Sequence, residues 1–376
     1  MDTLKLRPAL NIPPGDFVAE AMELRGWTQE NLAEVLGVSL TTVNKLIKAK
    51  QSITVDMAKR LSGAFGQSPQ YWLTLESNYQ LRASDNGEEA ETARKSKLFS
   101  VAPVQSLRKK GWVRADADTS EVEAWLERLW ETEDIESALS QTVEVPMAAR
   151  KSASYTQFSI HHAAIWLQVA KRYSHSLRVP DYNRAALEAL ALEIPQLSSG
   201  PDGVGDFMKR LGECGVKTFL LTHLPQTYTD GAAFWDGENP TIVVTGRIGW
   251  DDSFWFTMAH EIGHVLLHLQ HQDAYFIDED GEAPGECESE ANAFAKKMLC
   301  HADITMFFQR HNGKVSRQLV TMYAEGRGIS TALVVGCLHH YGILAPRNLN
   351  GERTKLMALL PDNYVADPRI AGIVAA

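Results

Sequence analysis

Cysteine is scarce in this chain of 376 residues: Cys214, Cys287, Cys300 and Cys337 are the four, far apart and none in a CxxC pair. That spacing excludes a disulfide framework and a cysteine-rich zinc finger, and implies reduced, mostly buried thiols. Long apolar runs are missing as well. No stretch approaches the roughly 18 uninterrupted apolar residues of a membrane span, and the opening MDTLKLRPALNIPPGDF has no apolar core of a signal peptide. The expectation is a chain that stays in the cytoplasm and off the membrane. Basic excess is absent too: Lys+Arg 37 against Asp+Glu 47 gives a net charge of -10. A protein coated in positive charge for nucleic acid is thereby excluded, and any DNA binding must come from a local patch. Hydrophobic residues make up 44%, with 9 Trp and 13 Phe, which is enough for substantial cores and excludes general disorder. At about 150 residues per domain, the length predicts two to three domains.

Residues 15 to 81 read as short helices, each opened by a capping residue and closed by glycine. The first runs from Asp16 to Leu24 and stops at Gly26; Thr28 caps a helix carrying Leu32, Ala33 and Leu36, ended by Gly37. Ser39 caps the next, with Val43, Leu46 and Ile47 inward and Thr41, Thr42, Asn44, Lys45 and Lys48 outward. Thr54 caps a fourth, and Ser68-Pro69 opens a fifth. A helix, the turn LGVS and a second short helix follow the helix-turn-helix plan, in which the second helix enters the DNA major groove. The charges of residues 1 to 81 balance at 8 basic against 8 acidic, yet Lys45, Lys48, Lys50, Lys59 and Arg60 gather at and after that second helix. A plain helical bundle with a solvated lysine face is the alternative.

The segment from PGDFVAEAMELRGWTQENLAEVLGVSLTTVNKLIKAK through SPQYWLTLESNYQL resembles the HigA-type antitoxin branch of the Cro/repressor helix-turn-helix family. The resemblance implies that Gln29 binds a phosphate at a helix N-terminus, that Thr41, Thr42 and Lys45 probe base edges, and that Ser39, Asn44 and Lys48 complete the DNA face. It also implies a double-stranded operator, expected at the chain's own promoter, and a dimer bound to two half-sites.

RASDNGEEAETARKSK, 82 to 97, is polar without an apolar stripe and reads as a linker or a solvated helix. Helical patterns fill 98 to 200, including Val122, Trp125, Leu126 and Leu129, and one stretch from 155 to 195 carrying Ala163, Trp166, Leu167 and Ala170. Strand signals come later: VKTFLLT at 216 to 222, GAAFW at 231 to 235 and TIVVT at 241 to 245, the last two close enough to pair over DGENP.

FWFTMAHEIGHVLLHL holds His260-Glu261-xx-His264. At i and i+4 the two imidazoles project from one helix face, about 40° apart, as two nitrogen ligands of a tetrahedral Zn²⁺ require. Glu261 is then placed to take a proton from the water such an ion activates. A catalytic zinc needs a third protein ligand. In GECESEANAFAKKMLC, Glu288 lies within roughly 50° of the apolar stripe's centre and Glu290 roughly 110° away, so Glu288 faces inward, and Asn292 shares its face as support for a ligand. His268 and His271 compete for the third place. His268 is about 80° from His260 and two turns away, which leaves it a capping or packing role. His339 or His340 is a candidate donor to a developing oxyanion, against a structural role for a lone late-helix histidine.

TIVVTGRIGWDDSFWFTMAHEIGHVLLH, ESEANAFAKKML and GISTALVVGCLHHYGIL are together similar to the ImmA/IrrE family of zinc metallopeptidases. The resemblance implies a thermolysin-like site with His260, His264 and Glu288 as metal ligands and Glu261 as general base, and a substrate that is often a helix-turn-helix repressor. The expected chain is multidomain: an all-α helix-turn-helix domain at 1–81, a linker at 82–97, a helical connecting region at 98–200, and an α+β metallopeptidase domain with a small β-sheet and an HExxH helix at 201–376. Its expected function is a DNA-binding regulator with Zn²⁺-dependent endopeptidase activity toward a repressor or toxin partner. The alternative is a HigA-like antitoxin or repressor whose metallopeptidase fold senses or holds a partner without cleavage.

Overall fold

The computed structural model describes residues 11–83, 88–132, 159–227, 229–269, 275–277, 285–311 and 313–367. The chain divides into two compact units, Met1–Lys95 and Ser96–Ala376.

The first unit is all-α: α1 Pro14–Glu23, α2 Gln29–Leu36, α3 Leu40–Ile47, α4 Val55–Phe65 and α5 Pro69–Ala83. Thr28, Ser39 and Thr54 each accept a backbone N–H at the cap, and Gly37 and Gly66 close α2 and α4 in the left-handed region. Helix α1 begins two residues before the expected Asp16, because Pro14 lacks the N–H that a first turn leaves unused. A Cβ on its Gly15 would lie 2.8 Å from the carbonyl carbon of Ile47, so glycine is what lets α1 close on α3. Val18, Leu32, Val43, Leu46, Leu61 and Trp72 form the core. Arg60 Nη1 donates to Leu36 O at 2.7 Å, satisfying a carbonyl that the end of α2 leaves open. Helix α6, Glu88–Val101, covers much of 82–97, so the solvated-helix reading describes that stretch; its side chains 89 to 97 are exposed.

In the second unit α7 Val104–Lys109, α8 Thr119–Trp130, α9 Ile160–Ser176, α10 Arg184–Leu197 and α11 Gly203–Glu213 precede the sheet. The single helical stretch expected over 155 to 195 is two helices. Pro180 lies in the break and Asn183 caps the second, its Oδ1 accepting from Ala186 N at 3.1 Å. Part of the expected connecting region, 133 to 158, lies outside the described residues.

Strands β1 Lys217–Leu221, β2 Gly231–Asp236 and β3 Asn239–Thr245 match the three strand signals, and a fourth, β4 Tyr275–Ile277, was not signalled. The order is β1-β3-β2-β4; β1 runs parallel to β3, and β2 is antiparallel to both β3 and β4. The β2–β3 hairpin turns as expected over DGENP, with Gly237 in the left-handed region. Both faces of the sheet are covered, which is why its strands read as unbroken apolar runs instead of alternating ones. Phe219, Leu221, Ala232, Phe234 and Val243 pack with α7, α8 and α9; Leu220, Ala233, Ile242 and Val244 pack with α10, α11 and the following helix, α12 Asp251–Leu267. The remaining α-helices among the described residues are α13 Glu286–Met298, α14 His301–Arg310, α15 Arg317–Arg327 and α16 Thr331–His340. Among the described residues no helix is long and apolar enough to cross a membrane. All four cysteines are free, with Cys214 and Cys337 buried and Cys287 and Cys300 only partly so.

Candidate metal centre and nucleic-acid interface

Helix α12 carries the HExxH residues and is apolar nearly all round, as a helix pressed between a sheet and other helices must be. Two glycines set how closely its neighbours approach. A Cβ on Gly263 would stand 3.2 Å from Ala291 Cα, so its absence lets α13 lie against α12. A Cβ on Gly231, where β2 begins, would overlap Oε1 of Glu261, approach its Cδ to 3.0 Å and reach Thr257 Cγ2 at 3.1 Å. The Glu261 carboxylate therefore occupies the space a side chain at 231 would fill, and Glu261 is fully buried.

Close packing of α12 on α13 brings His260, His264 and Glu288 together: one ligand atom from each lies within 4.8 Å of the others. His260 Nε2 is 2.9 Å from His264 Nε2, and the two nitrogens are each 3.2 Å from an oxygen of Glu288. Burial alone would raise the Glu288 carboxyl, but hydrogen bonds and charge from the two imidazoles outweigh it and hold the group down at about 2. It is a carboxylate at any ordinary pH.

Each imidazole is also held at its other nitrogen. His260 Nδ1 meets Asn292 Oδ1 at 3.2 Å, the kind of contact to a ligand expected from the face that Asn292 shares with Glu288. His264 Nδ1 meets His268 Nδ1 at 3.1 Å, and His268 Nε2 meets Glu290 Oε2 at 2.8 Å. His268 thus stands at the C-cap of α12 as a link between two residues, more than the capping or packing expected of it. Glu290 stays out of the cluster, as its helical angle predicts. His271 lies outside the described residues.

Of the late-helix histidines, His339 faces a structural network, with Nε2 at 2.9 Å from Asn348 O and Nδ1 at 3.4 Å from Arg353. His340 lines a cavity of about 230 Å³ with Phe256, Thr257, Leu299, His301 and Cys337. Phe256, one turn before His260, stacks on both His260 and His340 and tilts toward His301. His301 also borders an open groove of about 680 Å³ with Lys296, Lys297 and Tyr341. Sequence reasoning missed His301. Its only local signal is that it opens α14 directly after Cys300, which has a positive φ. Burial, with like charge from His340 and Lys296, pushes its imidazole down to about 4, so it is neutral near pH 7.

In the first unit, α3 presents Thr41, Lys45 and Lys48 to solvent, with Thr42 and Asn44 half-buried beside them. Ser39 is committed to capping: its Oγ accepts from Thr42 N at 3.1 Å and lies 2.9 Å from Thr42 Oγ1. Gln29, the first residue of α2, accepts from Asn44 Nδ2 at 3.3 Å, tying the start of α2 to the middle of α3.

The helix-turn-helix family model matches residues 18–72, and the Peptidase_M78 model, an IrrE N-terminal-like domain, matches 214–310. Antitoxin HigA-1 of Vibrio cholerae is 34% identical over 89 residues, 24% of this chain and 83% of that protein. The first unit belongs with the HigA-like helix-turn-helix proteins, and the second carries an IrrE-type peptidase domain. Virulence-associated protein I of Dichelobacter nodosus is 30% identical over 80 residues, 21% of this chain and 74% of that protein. Among solved structures, Pseudomonas aeruginosa antitoxin HigA with its higBA promoter is 30% identical and covers 25% of this chain and 98% of that one, with a TM-score of 0.20. The peptidase match takes in α12, α13 and all four strands of the sheet, and so holds the whole His260, His264, Glu288 cluster.

Proposed function

We propose that the chain is a DNA-binding regulator whose peptidase domain is a zinc-dependent endopeptidase acting on a partner protein. The observation that carries the reading is the convergence of His260, His264 and Glu288, with Glu261 buried on the same helix. The donors fit Zn²⁺ in kind and spacing: two imidazole nitrogens and one ionised carboxylate, 2.9 to 3.2 Å apart. Two ligands about 2.05 Å from an ion at a tetrahedral angle stand roughly 3.3 Å apart, so little movement is needed. When bound there, zinc supplies a Lewis acid for a carbonyl oxygen and lowers the pKa of water. The chain's own part is proton movement: a Glu261 oxygen accepts the proton of the attacking water and then delivers it to the amine nitrogen that leaves. Asn292 orients His260.

In the first unit, α3 is the reading helix, with Thr41, Thr42 and Lys45 toward base edges and Lys48 toward phosphate. Gln29 sits at the start of α2, where backbone N–H groups favour a phosphate. The helix-turn-helix match over residues 18–72 supports operator DNA as the partner, and a dimer on two half-sites is part of the same reading. The protein substrate is a helix-turn-helix repressor or toxin encoded nearby.

The test is metal analysis of the purified full chain, followed by co-expression of wild type and Glu261→Gln with each neighbouring gene product. Glutamine keeps the shape and loses the base. Zinc is retained in the variant, and fragments of one neighbour form only with wild type, at a rate about 10² to 10⁴ higher. If no neighbour is cut and both versions repress the promoter equally, the chain is a repressor whose peptidase fold holds a partner.

A further inference from the structure

The two histidines of the cluster are held at Nδ1 by different kinds of group. Asn292 presents a carbonyl oxygen to His260, and such an oxygen can only accept. His260 therefore carries a proton on Nδ1, which leaves its Nε2 as the nitrogen that an ion held between His260, His264 and Glu288 would take. His264 faces another imidazole nitrogen, Nδ1 of His268, which accepts only when the His268 proton sits on Nε2. That choice is made one step further out. His268 Nε2 lies 2.8 Å from Oε2 of Glu290, and a carboxylate accepts only. The His268 side chain is 6% exposed and that of Glu290 56%, so a solvated charge fixes the proton of a buried ring.

We propose that Glu290 and His268 form a positioning relay for the metal centre: Glu290 holds the His268 proton on Nε2, His268 Nδ1 then accepts from His264 Nδ1–H, and the His264 Nε2 lone pair points at the ion. The relay rests on the zinc reading above, and it gives Glu290 a role although it is no ligand. A metal-binding histidine in the other tautomer would offer the ion an N–H, so the outer partners govern affinity, typically by about 10 to 100-fold.

The experiment uses the full chain with zinc itself, titrated against a competing chelator, and ¹⁵N-histidine NMR of the zinc-loaded protein. His268→Phe removes the acceptor and weakens zinc by about 10 to 100-fold, and Glu290→Ala weakens it by about 10-fold. Since Glu290 acts only through His268, the double variant binds no worse than His268→Phe alone. His268→Asn restores a fixed acceptor near the old Nδ1 position, recovers most of the affinity, and makes Glu290→Ala silent. A protein merely loosened at the end of α12 shows neither the non-additivity nor the rescue. In the NMR spectrum His268 of wild type is protonated at Nε2 and His264 at Nδ1, and Glu290→Ala mixes the two tautomers. Wild-type affinity in His268→Phe, additive losses, or a His268 proton on Nδ1 would overturn the relay. A wild type that binds no zinc refutes the metal reading and the relay with it, whereas a wild type that binds zinc no better than His268→Phe overturns the relay alone.

Discussion

Gly231→Ala tests whether the glycine at the start of β2 exists to make room for the base. The added methyl would stand 3.0 Å from Cδ of Glu261 and 3.1 Å from Thr257 Cγ2, and would overlap Oε1. Carbon atoms settle at about 3.5 to 4.0 Å, so the two groups must separate by roughly 0.5 to 1 Å. Strand β2 cannot easily give way. Gly231 is in register with Val244, and Asp230 O accepts from Thr245 N at 2.8 Å. The φ of Gly231 is not positive, so alanine adds no backbone strain there. The carboxylate therefore moves. A displacement of about 1 Å at a reacting group costs on the order of 10² in rate, close to 2.7 kcal/mol of barrier at about 1.36 kcal/mol per tenfold. Crowding in the folded state costs about 1 to 3 kcal/mol of stability. The expected variant is folded, keeps its zinc, melts a few degrees lower and cleaves the partner about a hundredfold more slowly. The assay pairs zinc content and a thermal melt with fragment formation from the co-expressed partner. Unchanged cleavage together with an unchanged melt would refute the argument that Gly231 is reserved for Glu261.

Zinc analysis of single variants gives the ligand set: His260→Ala, His264→Ala and Glu288→Ala each abolish binding of about one Zn²⁺, while Glu290→Ala weakens it without abolishing it. Residues 1 to 81 bind promoter DNA with an affinity that falls as salt rises; Thr42→Ala relaxes sequence preference and Lys48→Ala weakens all sequences alike, both read by titration on matched and random duplexes. His301 predicts an acid-sensitive fold. Its folded pKa of about 4 lies below the ordinary imidazole value of 6.5, so its neutral ring contributes stability that is intact above about pH 6.5 and is lost as pH falls to about 4, to a total of about 3 kcal/mol. His301→Phe removes that part of the pH dependence, and an identical acid titration in the variant would show that another group is responsible.

What was legible in the sequence was local. Thr28, Ser39 and Thr54 announce helix starts because a cap acts within three residues, and HExxH announces two same-face imidazoles because a helix turn is four residues long. Glu288 could be read inward, and Glu290 outward, from 100° steps around one helix. Strand β4 gave no signal, since three residues are too few to show a period and its place depends on pairing with β2. The His268–Glu290 contact joins residues on different helices, and an angle measured around one axis cannot see the other. The helical angle excluded His268 as a ligand but had no term for a group reached from α13.

The same limit explains the glycines. Gly231 and Gly263 look like ordinary strand and helix residues, and their weak propensity argues against both positions until the packing is known. Gly263 allows α13 to approach, which places Glu288 beside the two histidines; Gly231 leaves the volume into which Glu261 fits. Neither touches a metal or a proton, yet together they set the depth of the helix pair and the place of the base. A site of this kind is specified twice, once by the residues whose chemistry shows in a motif and once by side chains that are missing. The second part becomes visible only when the backbone brings distant residues within about 3 Å of the space left open.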